Sequence, residues 1–359
     1  MFLHMTTNIV ALIVVLGVLV FFHEFGHFLF ARIFGVGVEK FSLGFGPRIF
    51  GKTIGMTDYR ISAIPLGGYV KMVGEEPNAE IDPAMLPYSF THKSVYKRMA
   101  IVIAGPLFNI VLAIVIFWGL FSIYGSYELD TVIGKLTDNA PAQKAGLLVK
   151  DRIVAVDGKP IRSWEEMAAL IKAGNGKETS VTVSRGSTPV TVQIKPELKM
   201  TKNKFGEDIQ RYLIGVESSG EMIPKKLSIV SAFGESMKQC WEITEITVLS
   251  MVKMVEGKIS KKELGGPIMI AKMAGAQARA GISNLIYFIA VISINLAILN
   301  ILPIPVLDGG HLLFFIIEAI KGSPVSENTR ETAQQVGMLI LLLLMIFVFY
   351  NDLTRKLPI

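Results

Sequence analysis

Four stretches of the chain are apolar at almost every position, with neither the alternation of a half-buried strand nor the narrow stripe of a surface helix. They fall at about 9–34, 99–123, 285–303 and 333–350. Each approaches or exceeds the ~20 helical residues that cross a hydrocarbon core of ~30 Å. The first is no signal peptide by its pattern: no basic residue precedes it, it is long for such a segment, and charge lies inside it. The connections between these stretches read differently. The first, "FSLGFGPRIFGKTIGMTDYRISAIPLGGYVKMVGE", is rich in glycine and β-formers and predicts several short strands, with turns at Gly44-Phe45-Gly46, Gly55 and Gly67-Gly68. The second connection alternates over 152–156 and then meets an Asp157-Gly158 turn. A helix is predicted over 163–171, with Ser163 as N-cap and Glu166 completing a capping box, then a hairpin from 181–184 and 190–194. Residues 227–257 are amphipathic at helical period. Val230, Phe233, Met237, Trp241, Val248, Met251, Val252 and Val255 share a stripe too interrupted to span, expected on the membrane surface or against the outer domain.

Composition strengthens the membrane reading. Of 359 residues, 51% are hydrophobic and 18% charged, against about 25% charged in soluble proteins. The single cysteine, Cys240, excludes an internal disulfide and any multi-cysteine metal site, and its setting suggests packing. The net charge of +6 is dispersed, so no basic cluster marks a nucleic-acid partner. Arg32 and Lys40, with Lys93, Lys97 and Arg98, flank the first connection and assign it to the cytoplasm. Both termini and the long second connection are then extracytoplasmic. The expected organisation is a first transmembrane helix (1–34), a cytoplasmic-side β-rich segment (35–98), a second transmembrane helix (99–123) and an outer α+β domain (124–220). An amphipathic region (221–283), a third transmembrane helix with its following helix (284–320) and a fourth transmembrane helix (333–352) complete it.

Chemistry concentrates in the first span, at His23-Glu24-Phe25-Gly26-His27. Residues i and i+4 of a helix share a face about 6 Å apart, so two imidazoles can bind one tetrahedral zinc. Glu24 beside them suits a general base toward a metal-bound water. Ionisable groups are costly inside a bilayer, which favours function over a polar patch joining helices. Two histidines leave zinc short of a ligand. Asp308, in "NILPIPVLDGGH", is the candidate third; it could also cap a following helix, and His311 is a rival. Pro303 and Pro305 break the third span there, as tolerated where backbone lines a polar cavity. Depth agrees. His23 lies about 21 Å along a helix from residue 9, in the cytoplasmic half, where Asp308 also falls.

The outer domain resembles a bacterial PDZ domain through Ala140-Pro141-Ala142, Ala145-Gly146-Leu147 and Asp151-Arg152-Ile153. Tyr212-Leu213-Ile214-Gly215 is similar to the loop of such domains that binds a peptide end, which makes Tyr212 and Gly215 candidate substrate contacts. The whole chain, with HExxH in the first span and LDG in the third, resembles the site-2 protease family in its bacterial regulator-of-sigma-E form. Well-known members carry two PDZ domains, and one is found here. The resemblance implies a multi-pass protein of the bacterial inner membrane, with Zn2+ held by His23, His27 and Asp308 and Glu24 as base. It implies substrate-positioning roles for Asn295 and Asn300, and it extends to Gly105-Pro106 and Asn109 in the second span. The partners it implies are membrane lipid and single-span membrane proteins already cut by another protease, such as anti-sigma factors or remnant signal peptides. Because a helix hides its carbonyls, cleavage needs local unwinding. An edge of the β segment, at Gly44 to Gly46 or over 60–72, could take the substrate as an added strand. The rival classes are an inert scaffold displaying a PDZ-like domain and an ion-coupled transporter. The intact His23, Glu24, His27 and Asp308 argue against the first, and no internal span repeat favours the second.

Overall fold

The computed structural model describes residues 2–75, 81–203 and 205–354, so the predicted segment 35–98 is described apart from 76–80. In chain order the elements are α1 (Phe2–Ile33), β1 (Val38–Ile54), β2 (Thr57–Met72), α2 (Val95–Tyr124), β3 (Ser126–Leu129), β4 (Ile133–Leu136), α3 (Pro141–Lys144), β5 (Arg152–Val156) and β6 (Lys159–Pro160). There follow α4 (Trp164–Ala173), β7 (Thr179–Arg185), β8 (Thr188–Ile194), β9 (Glu197–Lys202), β10 (Asp208–Leu213), β11 (Val216–Ser218) and β12 (Met222–Lys225). Helices α5 (Ile229–Val255), α6 (Pro267–Ala280), α7 (Ile282–Ile301), α8 (Asp308–Lys321) and α9 (Glu327–Thr354) complete the chain. Two compact units result: one from Met1–Leu120 with Phe233–Ile359, the other from Phe121–Ala232.

In the first unit α1, α2, α7 and α9 are long and apolar enough to cross a membrane, matching the four predicted stretches. Val15 and Leu19 of α1 are fully buried with Leu112 of α2 and Leu285, Phe288 and Ile289 of α7. At Gly26 the α1 and α2 backbones meet so closely that a methyl group there would overlap the Ala104 carbonyl. Asp352, near the end of α9, accepts the N–H groups of Gly266, Ile268 and Met269 at 2.9–3.1 Å, capping α6 from another helix. Arg98 of α2 pairs with Glu318 of α8 and lies 4.8 Å over the Phe315 ring.

The β segment keeps the expected turns, although its strands run on through them as two long elements. Residues 41–43 run in the same sense as 59–61, whereas 50–52 run opposite to 59–61 and 68–70 run opposite to 41–43. The chain therefore reverses within β1 between Leu43 and Phe50, at Gly55 (φ +61°), and within β2 between Ile61 and Gly68. Gly44 (φ +93°) and Gly46 (φ +86°) lie at the first reversal, where positive φ is open to glycine. The reversals let Lys40, Phe41, Ser42 and Leu43 pair on one side with Asp58, Tyr59, Arg60 and Ile61, and on the other with Lys71, Val70, Tyr69 and Gly68.

Helix α5 is amphipathic as predicted, but polar bonds tie it to α7. Gln239 donates to the Tyr287 hydroxyl at 3.3 Å and Thr247 donates to Asn295 Oδ1 at 2.8 Å. Both pairs are 48 residues apart, so the two helices run in the same direction. Cys240 is buried, and burial pushes its thiol above the ordinary range.

The second unit is built on a four-stranded antiparallel sheet, β6-β5-β7-β8, with α4 on its core. Ile133, Leu147, Ile153, Val156, Val181, Val183 and Ile194 are buried with Met167 and Ile171 of α4. Asp157 (φ +50°) and Gly158 (φ +72°) make the predicted tight turn. Ser163 accepts the Glu166 N–H at 3.3 Å, while Glu166 reaches back to the Arg162 N–H, one residue before the expected partner. The buried Asp151 carboxylate takes two bonds from Arg185, at 2.9 and 2.8 Å, and these hold it below the usual carboxylate range. Strands β3 and β12 pair antiparallel from Leu129↔Met222 to Ser126↔Lys225, and the Asp130 N–H bonds Glu221 at 2.9 Å. The chain therefore enters and leaves this unit through one two-stranded ribbon.

Candidate metal centre

Helix α1 places His23 and His27 one turn apart, with Nε2 atoms 3.3 Å from one another. Asp308 opens α8. Its carboxylate lies 3.1 Å from His23 Nε2 and 3.6 Å from His27 Nε2. Leu307 holds the N-cap position and Asp308 the first helical one, so Asp308 is not the cap of its own helix. Gly309 and Gly310 permit this placement, since a Cβ at either would overlap the Ile301, Leu302 or Ile304 carbonyls of the broken span end.

Helix α2 supports both imidazoles along one stripe. His27 Nδ1 faces the Ile101 carbonyl at 2.9 Å, and His23 Nδ1 faces the side-chain amide of Asn109 at 3.3 Å. Between them, at i+4 from the first and i−4 from the second, Gly105 leaves room for both rings. A methyl there would overlap His27 Nε2 and lie 2.8 Å from His23 Cε1.

The donor set fits zinc. Ligand atoms about 2.1 Å from a tetrahedral ion lie about 3.4 Å from each other, and the observed separations of 3.1–3.6 Å bracket that spacing. The ligand atoms of His23, His27 and Asp308 form a potential metal-binding group, all within 4.8 Å of one another. Asp308 Oδ2 is buried and takes no hydrogen bond despite its histidine neighbour. Such an orphaned anionic oxygen is costly without a cation.

These groups line a cavity of about 260 Å³, with Glu24 beside the ligands. Val70 lines the wall beside Glu24, and the Met72 N–H bonds Glu75 at 3.0 Å. Tyr69, Val70 and Met72 of β2 thus form one wall. Val70 and Met72 turn their N–H groups away from the β1 ladder, as alternate residues of an edge strand do. His311 and Arg330 also line the cavity, but His311 is outside the group of convergent ligand atoms. Sequence reading gave Val70 only its place in the 60–72 edge, and gave no role to Glu75, the Ile101 carbonyl or Arg330. The first three act through or upon backbone, which carries no residue signal, and Arg330 sits in the first turn of a helix with nothing in its pattern to mark it.

The remaining candidates lie elsewhere. Asn295 is engaged by Thr247, and neither it nor Asn300 lines the cavity. Gly44 and Gly46 belong to β1, away from the cavity wall. Tyr212 and Gly215 line a groove of about 510 Å³ in the second unit, with Met167 and Ile171 of α4 opposite.

The profile described as peptidase family M50 matches residues 11–344. A protein of Agrobacterium fabrum described as a zinc metalloprotease is 36% identical, with 98% of this chain and 96% of its own length aligned. One of Mesorhizobium japonicum, similarly described, is 37% identical, with 96% and 98% covered. The regulator of sigma-E protease RseP of Escherichia coli K12 is 31% identical, with 97% and 98% covered. Among solved structures, the PDZ domain of an SdrC-like protein from Listeria monocytogenes aligns at 22% identity, covering 24% of this chain and 84% of its own, with a TM-score of 0.20.

Proposed function

This chain belongs to peptidase family M50, the site-2 proteases, and is an intramembrane zinc metalloprotease; we propose that His23, His27 and Asp308 hold its metal and that Glu24 is its general base. The observation that carries this assignment is the tetrahedral spacing of three ligand atoms with a fourth, non-ligating carboxylate beside them. When bound, zinc supplies an acidified water and polarises the scissile carbonyl. Glu24, beside the proposed ligands and against the Val70 wall, would take a proton from the attacking water and pass it to the leaving amide nitrogen. Glu24→Gln keeps shape and loses basicity. It is expected to retain zinc and lose peptide hydrolysis by at least about 100-fold, read by metal analysis and by cleavage of a tagged helix in detergent. Activity equal to wild type overturns the assignment.

A helical substrate must expose its carbonyl before it is cut. The outward N–H groups of Val70 and Met72 support pairing of the unwound segment with β2 as an added strand. Gly44 and Gly46 supply the bends that place this edge. Asn295 and Asn300 position the substrate along α7, with Thr247 giving up its bond to Asn295. The substrates are single-span proteins of the bacterial inner membrane, trimmed beforehand by another protease. In this reading both termini and the unit between α2 and α5 face outward, which the basic residues of the first connection support. That unit, read as a PDZ-like domain, admits trimmed substrates and excludes bulky ones. Recognition of a new C terminus by Tyr212 and Gly215 is the competing use of its groove.

A further inference from the structure

Asn109 has no exposed surface, and among the described residues its side-chain amide has one partner, His23 Nδ1, which lies 3.3 Å from Nδ2. Its Oδ1 is buried without a hydrogen bond. An amide so placed, eight residues along the stripe from the carbonyl that serves His27, calls for a reason. Neutral imidazole carries one proton. For Nε2 to offer its lone pair to a metal, Nδ1 must hold that proton and needs an acceptor. Ile101 supplies one to His27 through its carbonyl. His23 meets an amide, which offers either a donor or an acceptor according to its rotation about Cβ–Cγ, and the two orientations are nearly indistinguishable by shape. With Nδ2 toward His23, the ring proton is driven to Nε2, against Asp308. With Oδ1 toward His23, the proton sits on Nδ1 and Nε2 is free.

We propose that Asn109 is the positioning residue for His23: its amide oxygen accepts the Nδ1 proton in the metal-loaded enzyme and so fixes the ring in its zinc-binding tautomer and orientation. The inference rests on the assignment of His23 as a zinc ligand. It makes the residues at 101, 105 and 109 one device: a carbonyl for one imidazole, an amide for the other, and a glycine between them where both rings pass. The device lies on a single face of α2 because i, i+4 and i+8 stack on a helix. Only Asn109 acts through a side chain, so only it can be tested without moving the backbone.

The test separates acceptor from shape. Asn109→Leu keeps the approximate volume and removes the acceptor, while Asn109→Asp keeps an acceptor oxygen and makes a carboxylate–histidine–zinc arrangement. Full-length protein in detergent is stripped of metal and titrated with zinc against a chromogenic chelator. Cobalt spectra of the loaded forms report ligand geometry. Outer-partner substitutions typically lower metal affinity roughly 10–100-fold, and that loss is expected for Leu with Asp near wild type. A purely packing role predicts the reverse, with Leu tolerated and Asp damaging. Wild-type affinity in Asn109→Leu, or equal loss in both variants, overturns the proposal. If thermal melting shows Leu unfolded, Asn109→Ala takes its place against Asp with the same expected order. Asp308→Ala is run in parallel. If it too binds zinc like wild type, the metal assignment itself fails; if it alone loses zinc, only the role of Asn109 fails.

Discussion

At position 105 one methyl group separates a metal site from a blocked one. Gly105→Ala would press on both imidazoles from a helix that is itself packed against α1. It is expected to reduce bound zinc to a minor fraction, by elemental analysis, while melting of the second unit is unchanged. Asp308→Ala leaves two nitrogen ligands and is expected to release zinc to a mild chelator that wild type resists; unchanged stoichiometry after dialysis would assign the third ligand to His311 or another group. The proposed ligands were legible in the sequence, because i, i+4 spacing on a helix and an acid after a proline-broken span both have direct geometric meaning. Asp308 was preferred there to His311, which lies one turn into the same helix and outside the group of convergent ligand atoms. The pairing of Asn109 with His23 lies 86 residues apart in the chain, beyond any local pattern.

Among the elements, β2 offers the sharpest test. Proline has no N–H, so its effect depends on where that N–H points. Lys71→Pro removes a donor on the β1 side and is expected to break the hairpin. Met72→Pro removes an outward donor, now held by Glu75, and is expected to keep the hairpin and the zinc while cleavage of helical substrates falls. Unimpaired cleavage by Met72→Pro would rule out strand addition there. Val70→Pro is less informative because Val70 also lines the wall beside Glu24. In the second unit the tie between Asp151 and Arg185 is pH-dependent. Asp151 is held below its unfolded value, so its stabilisation is full above the ordinary carboxylate range near about 4 and is lost as pH falls through its lowered folded value. Asp151→Asn is expected to flatten that acid limb, as read by hydrogen exchange of β5 and β7 in the full chain. The turn and cap residues of this unit, Asp157-Gly158 and Ser163, were readable because each satisfies a nearby backbone need. The turn at Gly44 and Gly46 was readable for the same kind of reason: glycine signals positive φ, and there the chain doubles back within β1.

For the whole molecule, the proposed gatekeeping unit can be removed without disturbing its attachment. Replacing residues 130–221 with a flexible linker keeps β3 and β12 paired. The size-filter reading predicts that trimmed substrate is still cut and that intact substrate becomes cut as well. Loss of cleavage of the trimmed substrate, in a variant that still binds zinc, would favour recognition by the groove at Tyr212 and Gly215. Hydrophobic pattern revealed the four crossings and the existence of this unit, since both follow from how composition changes along the chain. The closing ribbon escaped it: Ser126–Leu129 and Met222–Lys225 are four-residue strands that define each other only when brought together. That ribbon has an evolutionary consequence. A segment whose ends are adjacent can be lengthened, shortened or duplicated with little effect on what holds it. The unit that would set substrate admission can therefore be exchanged as a cassette without moving the proposed metal group of α1 and α8.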